Sequence, residues 1–109
     1  MAKIALTPEV LTLIADRFKV LAEPARLDIL NALRRRELSV SEIVEATALG
    51  QANVSKHLQL LHAQGFVSRR KDGLYAYYSL ADERVFQLCE MMCERLTTEA
   101  TARGRLLAS

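Results

Sequence analysis

The stretch from Ser39 to Leu80 constrains this chain most, because the hydrophobic pattern switches there from helical to alternating. Ser39 followed three residues later by Glu42 is a capping-box pattern. Ile43, Val44 and Ala46 fill one side of the short helix it opens. After a few turn residues, a second helix is predicted from Gln51 to Gln64, with Val54, Leu58 and Leu61 at helical spacing and Gly65 as its stop. Two β-prone runs follow, Phe66 to Arg70 and Tyr75 to Leu80. They are joined by Lys71-Asp72-Gly73-Leu74, and Asp-Gly is a strong hairpin signal. Two short helices around a tight turn, followed at once by a hairpin, make a winged helix-turn-helix.

The flanking segments are helical. Thr7-Pro8-Glu9 reads as an N-cap with proline at the first helical position. Val10, Leu11, Leu13, Ile14, Phe18 and Leu21 then fill two faces of that helix. Pro24 restarts a helix whose buried side is Leu27, Ile29, Leu30 and Leu33, and Arg34-Arg35-Arg36 ends it with cations at the negative pole of the dipole. Leu38 and Val40 flank Ser39 in a short extended bridge. Asp82 is expected to cap a last helix with Val85, Phe86, Leu88, Cys89, Met92, Cys93 and Leu96 on its apolar side. Beyond Thr97 the pattern weakens and a frayed tail is expected.

The predicted fold is thus mainly α with a small β-hairpin wing. One winged helix-turn-helix domain occupies residues 1–109, with the helix-turn-helix at 39–64 and the wing at 66–80. Residues 1–22 and 82–103 are read as dimerisation helices, because a domain this small cannot cover stripes such as Val85, Leu88, Met92 and Leu96 by itself. A two-fold interface would bury them and set two reading helices about one helical turn apart on DNA. The alternative is that these helices fold back on their own core.

Net charge is only +2, but its distribution is informative. Lys56, Arg69, Arg70 and Lys71 against Asp72 leave +3 between Gln51 and Tyr78, while Glu83, Glu90, Glu94 and Glu99 gather elsewhere. Any soluble protein segregates some charge. The sharper feature is that no acidic residue occurs from Ala46 to Ser68. On the second helix, Gln51, Ala52, Asn53, Ser55, Lys56, His57 and Gln59 are left on or near the outer faces. Gln and Asn can pair bidentately with adenine, Lys with guanine, and Ser with several base edges. Arg69, Arg70 and Lys71 on the wing suit phosphates or the minor groove. Alternation sets Arg69 and Lys71 on one face and Arg70 on the other. Tyr75, Tyr77 and Tyr78 straddle the second strand; Tyr75 is assigned to the DNA set, and at least one tyrosine to the core. Ser39 and Ser41 open the first helix of the pair, where hydroxyls and free amides suit phosphate.

No apolar run is long enough to span a membrane, the N-terminus lacks the h-region of a signal peptide, and two cysteines without a secretion signal point to a reducing cytoplasm. No paired-carboxylate cleft, phosphate-cradling glycine loop or Cys–His pair suggests an enzyme.

The residues Phe18-Lys-Val-Leu-Ala-Glu-Pro-Ala-Arg-Leu-Asp-Ile-Leu resemble the opening signature of the ArsR/SmtB (arsenic-repressor-like) transcription factors. Val54-Ser55-Lys56-His57-Leu58 with Leu61 and Gly65 is similar to their recognition helix, and Asp72-Gly73 with Tyr77-Tyr78-Ser79-Leu80 to their wing. The resemblance covers roughly Leu13 to Leu96. It implies a homodimeric, effector-responsive repressor that binds a double-stranded operator. The chain departs from the pattern at the turn before the recognition helix, where Ala48 and Gly50 replace glycine and serine. A left-handed Ala48 would be strained, so a differently shaped turn is expected.

The sensor sites differ more. The segment Leu38 to Val44 lacks the cysteines through which many relatives bind metal, and the last helix carries Asp82, Glu83, Glu90 and Glu94 but no histidine. No cofactor is therefore expected. Cys89 and Cys93, at i and i+4, remain. They can be packed as small hydrophobes, act as redox or persulfide sensors, or bind a metal or metalloid such as arsenite. A disulfide within one helical turn is awkward, so an oxidised form would cross the dimer. From another functional class, the rival is a winged-helix protein-interaction module that does not bind DNA; the acid-free stretch argues against it.

Overall fold

A computed structural model describes residues 4–102. Its elements run α1 (Pro8–Leu21), α2 (Pro24–Ala32), β1 (Leu38–Ser39), α3 (Val40–Thr47), α4 (Gln51–Ala63), β2 (Val67–Asp72), β3 (Tyr75–Leu80) and α5 (Val85–Ala102). Residues 1–3 and 103, assigned to the terminal arms from sequence, lie outside the described residues.

Local chemistry explains the starts and stops. Thr7 Oγ1 accepts a hydrogen bond from the Val10 amide at 3.2 Å, and Pro8 occupies the first turn of α1. The capping box of α3 is complete: the Glu42 amide donates to Ser39 Oγ at 3.2 Å, and the Ser39 amide donates to Glu42 Oε1 at 2.8 Å. Gly65, at φ +79°, closes α4. Its amide donates to the His62 carbonyl and the Phe66 amide to the Leu61 carbonyl, a Schellman motif that turns the chain directly into β2.

The wing is more than the expected hairpin. It is a three-stranded antiparallel sheet in the order β1-β3-β2, with Leu38 opposite Tyr78 and Ser39 opposite Tyr77. The hairpin strands also run closer to the tip than expected, with Asp72 paired to Tyr75 and only Gly73-Leu74 in the loop. Positive φ at Gly73 alone matches a type II′ turn, whose twist suits adjoining strands. Val40 belongs to α3, not to an extended bridge.

Ile29, Leu30, Ile43, Val54, Leu58 and Leu61 are fully buried, and Leu33, Leu38, Val67, Tyr78 and Val85 complete the core. Helices α2, α3 and α4 therefore share one apolar centre, closed on one side by the inner face of the wing.

Two expectations are corrected at α5. Asp82 does not cap it directly: the helix starts at Val85, and Asp82 accepts from the Arg84 amide in a tight turn just before it. The helix also continues past Thr97 to Ala102, with Thr101 Oγ1 donating to the Thr97 carbonyl and Ala100 buried. A weak apolar pattern there hid ordinary helical backbone.

Apart from Val85 and Ala100, α1 and α5 leave their apolar residues at best partly covered within one chain. No residue of α1 is buried, and Leu13 and Phe18 are 65% and 53% exposed. On α5, Met91, Met92 and Leu96 are each more than half exposed. The radius of gyration is 16.4 Å, against about 13 Å for a compact domain of this length.

Ala48 is left-handed, at φ 58° and ψ 20°, contrary to the expectation of a reshaped turn. Its amide still donates to the Val44 carbonyl, so the turn keeps its form and the side chain bears the strain. Ala48→Gly should relieve it and raise stability by about 0.5–1 kcal/mol, after the entropy glycine adds to the unfolded chain. Denaturant unfolding checks this; an unchanged or lower stability contradicts it.

Candidate nucleic-acid interface

Helix α4 is built to be held on one side and offered on the other. Val54, Leu58 and Leu61 enter the core, while Gln51, Ala52, Asn53, Lys56 and Gln59 are exposed. Gly50, its N-cap, has no side chain to cover the first amides, which suits an anion near the helix start. Ser55 and His57 are half-buried rather than fully outward. His57 leans on α2: Arg26 Nη1 lies 3.3 Å from His57 Nδ1. Arg26 went unnoticed in sequence because its partner is 31 residues away.

Of the two serines assigned to phosphate, Ser41 is exposed. Ser39 uses its hydroxyl inside the capping box. The Glu42 carboxyl opposite is held below the usual glutamate range, first by the Ser39 amide and then by Arg36, 3.2 Å away.

The wing separates its three cations. Arg69 and Lys71 are exposed and lie opposite Tyr78 and Ala76, on the face that continues the core side of the sheet. Arg70 is opposite Tyr77 on the other face. Charge alone groups Arg70 with the phosphate contacts, but the structure gives its guanidinium other partners. Nη2 and Nε donate to the two Glu37 carboxylate oxygens at 2.7 and 3.0 Å, Nη1 lies 3.6 Å from Asp72, and the group sits 4.8 Å above the Tyr77 ring. Arg70 thus straps the wing to the segment before β1. Tyr78 is the core tyrosine, and Tyr75 is 63% exposed beside the tip. Glu37 is the second residue that sequence reading missed, since nothing local marks a carboxylate as a wing tether.

Cys89 is half-buried and Cys93 exposed, so neither is a packed core residue within one chain. Among the described residues no three His, Cys, Asp or Glu side chains converge as a metal site would need, and no helix is long and apolar enough to cross a membrane.

Residues 23–69 match the model of bacterial regulatory proteins of the arsR family. The chain is 37% identical over 94 residues to a transcriptional repressor SmtB homolog from Synechocystis, covering 82% of this chain and 71% of that protein. This chain belongs to the ArsR family. It spans 57–61% of several other curated relatives. Among solved structures, Rv0081 from Mycobacterium tuberculosis superposes with a TM-score of 0.76 at 33% identity, covering 89% of this chain and 98% of that one. The homodimeric winged helix-turn-helix DNA-binding domain of Mb0332 from Mycobacterium bovis gives 0.73 at 33%, covering 86% and 91%. The winged helix-turn-helix read from this ArsR sequence is therefore the fold it adopts.

The strap makes a prediction about acid. Arg70, by hydrogen bond and charge, holds the Glu37 carboxyl below the usual glutamate range. A carboxyl with a depressed folded-state pKa adds stability above its unfolded pKa, and that part is lost as pH falls through the folded value. NMR titration of Glu37 should therefore give a midpoint below the ordinary range, moving up to it in Arg70→Ala. An ordinary midpoint in the wild type would show that the strap does not persist in solution.

Proposed function

We propose that this ArsR-family chain is a dimeric, sequence-specific transcriptional repressor of the cytoplasm that reads a double-stranded operator with α4 and its wing. The observation that carries the reading is the outer face of α4. It presents Gln51, Asn53, Lys56 and Gln59 in a stretch without a single carboxylate, on a helix whose other side is locked into the core. A carboxylate-free amide and cation surface fits base edges between phosphates. A protein-docking face has no need to exclude acids, so the interaction-module alternative is not favoured. In this reading Arg69 and Lys71 neutralise phosphates, Ser41 and the α3 amides add backbone contacts, Tyr75 stands beside the groove, and Arg70 shapes the wing.

The binding test separates these roles. Lys56→Ala and Gln51→Ala should lower affinity for a selected duplex by about tenfold with little change on scrambled DNA, since a good base pairing is worth about 1–3 kcal/mol. Arg69→Ala or Lys71→Ala should weaken binding to every duplex and reduce the salt slope by about one. Equal wild-type affinity for selected and scrambled duplexes contradicts sequence reading.

Dimerisation is proposed from the uncovered arms. Leu13, Phe18, Met92 and Leu96 are half or more exposed in one chain, and a second copy is the partner that buries such faces by symmetry. The only thiols of the chain, Cys89 and Cys93, lie one turn apart on α5. Oxidation, persulfidation or a soft ion there would act on the dimer, and operator release follows if two dimer arrangements differ in affinity for that chemistry. Treatment with a polysulfide, an oxidant or arsenite should then weaken operator binding by the wild type and leave the Cys89→Ser, Cys93→Ser double variant bound. An equal response of the two chains, or none, removes the cysteines from sensing.

A further inference from the structure

One side chain ties together three parts of the molecule that the sequence keeps apart. Arg26, in the first turn of α2, donates through Nε to the Val20 carbonyl at 2.6 Å and through Nη2 to the Lys19 carbonyl at 3.5 Å. Both carbonyls belong to the last turn of α1, the negative end of its dipole. The remaining arm of the guanidinium, Nη1, reaches His57 Nδ1 on α4.

The chemistry of that last contact has one solution. A guanidinium carries only donors and does not deprotonate in proteins. Nδ1 must therefore accept, and in a neutral imidazole the single ring proton then sits on Nε2. Nε2 has no hydrogen-bond partner among the described residues, and no unpartnered buried polar side-chain atom occurs among them. Nε2 is thus open to solvent on the half-buried side chain. It stands one residue from exposed Lys56, on the helix read above as the DNA reader.

We propose that Arg26 is a positioning residue that fixes the tautomer of His57, so that α4 offers an Nε2–H donor to a hydrogen-bond acceptor on the DNA. The acceptor is a base edge such as guanine N7 or O6, or thymine O4, or else a phosphate oxygen. Arg26 is itself fixed by α1, so the donor's direction is set by the arm as well as by the reading helix. The DNA part of the proposal rests on the function proposed above; the tautomer does not.

Imidazole ¹⁵N spectra of the DNA-free protein, at a pH where the ring is neutral, test the first half. The wild type should show an unprotonated Nδ1 and a protonated Nε2 at His57, and Arg26→Gln should shift the ring towards the other tautomer. A protonated Nδ1 in the wild type, or identical wild-type and Arg26→Gln spectra, overturns the assignment. Duplex binding tests the second half, first with variants that leave Arg26 in place and then with Arg26 replaced. The glutamine amide nitrogen falls near Nε2 and that of asparagine does not. His57→Asn should lose about five- to tenfold, the loss of one hydrogen bond, and His57→Gln, which keeps a donor near Nε2, should lose distinctly less. A loss on the selected duplex alone identifies a base acceptor; an equal loss on scrambled DNA identifies phosphate. Arg26→Gln, which frees the ring and its tautomer, should lose part of that factor, and adding His57→Gln should recover it. Wild-type affinity in His57→Asn, or a loss in Arg26→Gln that His57→Gln does not rescue, contradicts the donor role. Absence of duplex binding by the wild type would contradict the function proposed above, with the spectra still deciding the tautomer.

Discussion

Everything on the reading surface depends on how α4 is seated. Val54, Leu58 and Leu61 are fully buried, at positions i, i+4 and i+7 along one side of the helix. Burial of each such side chain stabilises by about 1.5–3 kcal/mol, so the helix cannot roll without losing most of what holds it. Its partners, Ile29 and Leu30 of α2 and Ile43 of α3, belong to the same cluster. That seat leaves the opposite face free to be chosen for other chemistry, and the chain has filled it with amides and lysine. The wing inherits its direction from the same helix. The Phe66 amide closes the end of α4, and the Phe66 carbonyl accepts from Ala81 at the far end of the hairpin. Both ends of the wing are thereby pinned to the helix it flanks.

The features legible in sequence are those whose cause lies within a few residues. Ser39 and Glu42 cap each other across three positions, Gly65 supplies the left-handed residue a helix stop needs, and Asp72-Gly73 turns a hairpin. What escaped reading depends on partners far along the chain. The pairing of β1 with β3 joins Leu38 to Tyr78, and Glu37 finds Arg70 33 residues later. His57 looked like one more outward polar residue until folding brought Arg26 beside it. Ala48 escaped for a different reason. Local preference argues against a left-handed alanine, but α3, with its buried Ile43, and α4 together fix the turn between them, and tertiary packing outweighs a strain of about 1–2 kcal/mol.

The arms carry the opposite lesson. Periodicity marked two filled faces on α1 and an apolar side on α5, but it could not say what their apolar residues touch. In the structure they touch little of their own chain, which is why the molecule is wider than its length requires. An ArsR-family chain whose arms give the core little beyond Val85 and the flanking Val20, Leu21 and Phe86 is free to use the rest of them for pairing. Arg26 then gives the arm a physical connection to the reading helix, through the last carbonyls of α1 and the ring of His57.

The central claim is that two such cores, joined by their arms, address one duplex together. Hydroxyl-radical footprinting on a duplex selected from a random pool tests this most directly. Paired reading helices predict two protected patches on one face of the DNA, centred about one helical turn, or 10–10.5 base pairs, apart. A single protected patch, or protection without helical phase, would contradict the account.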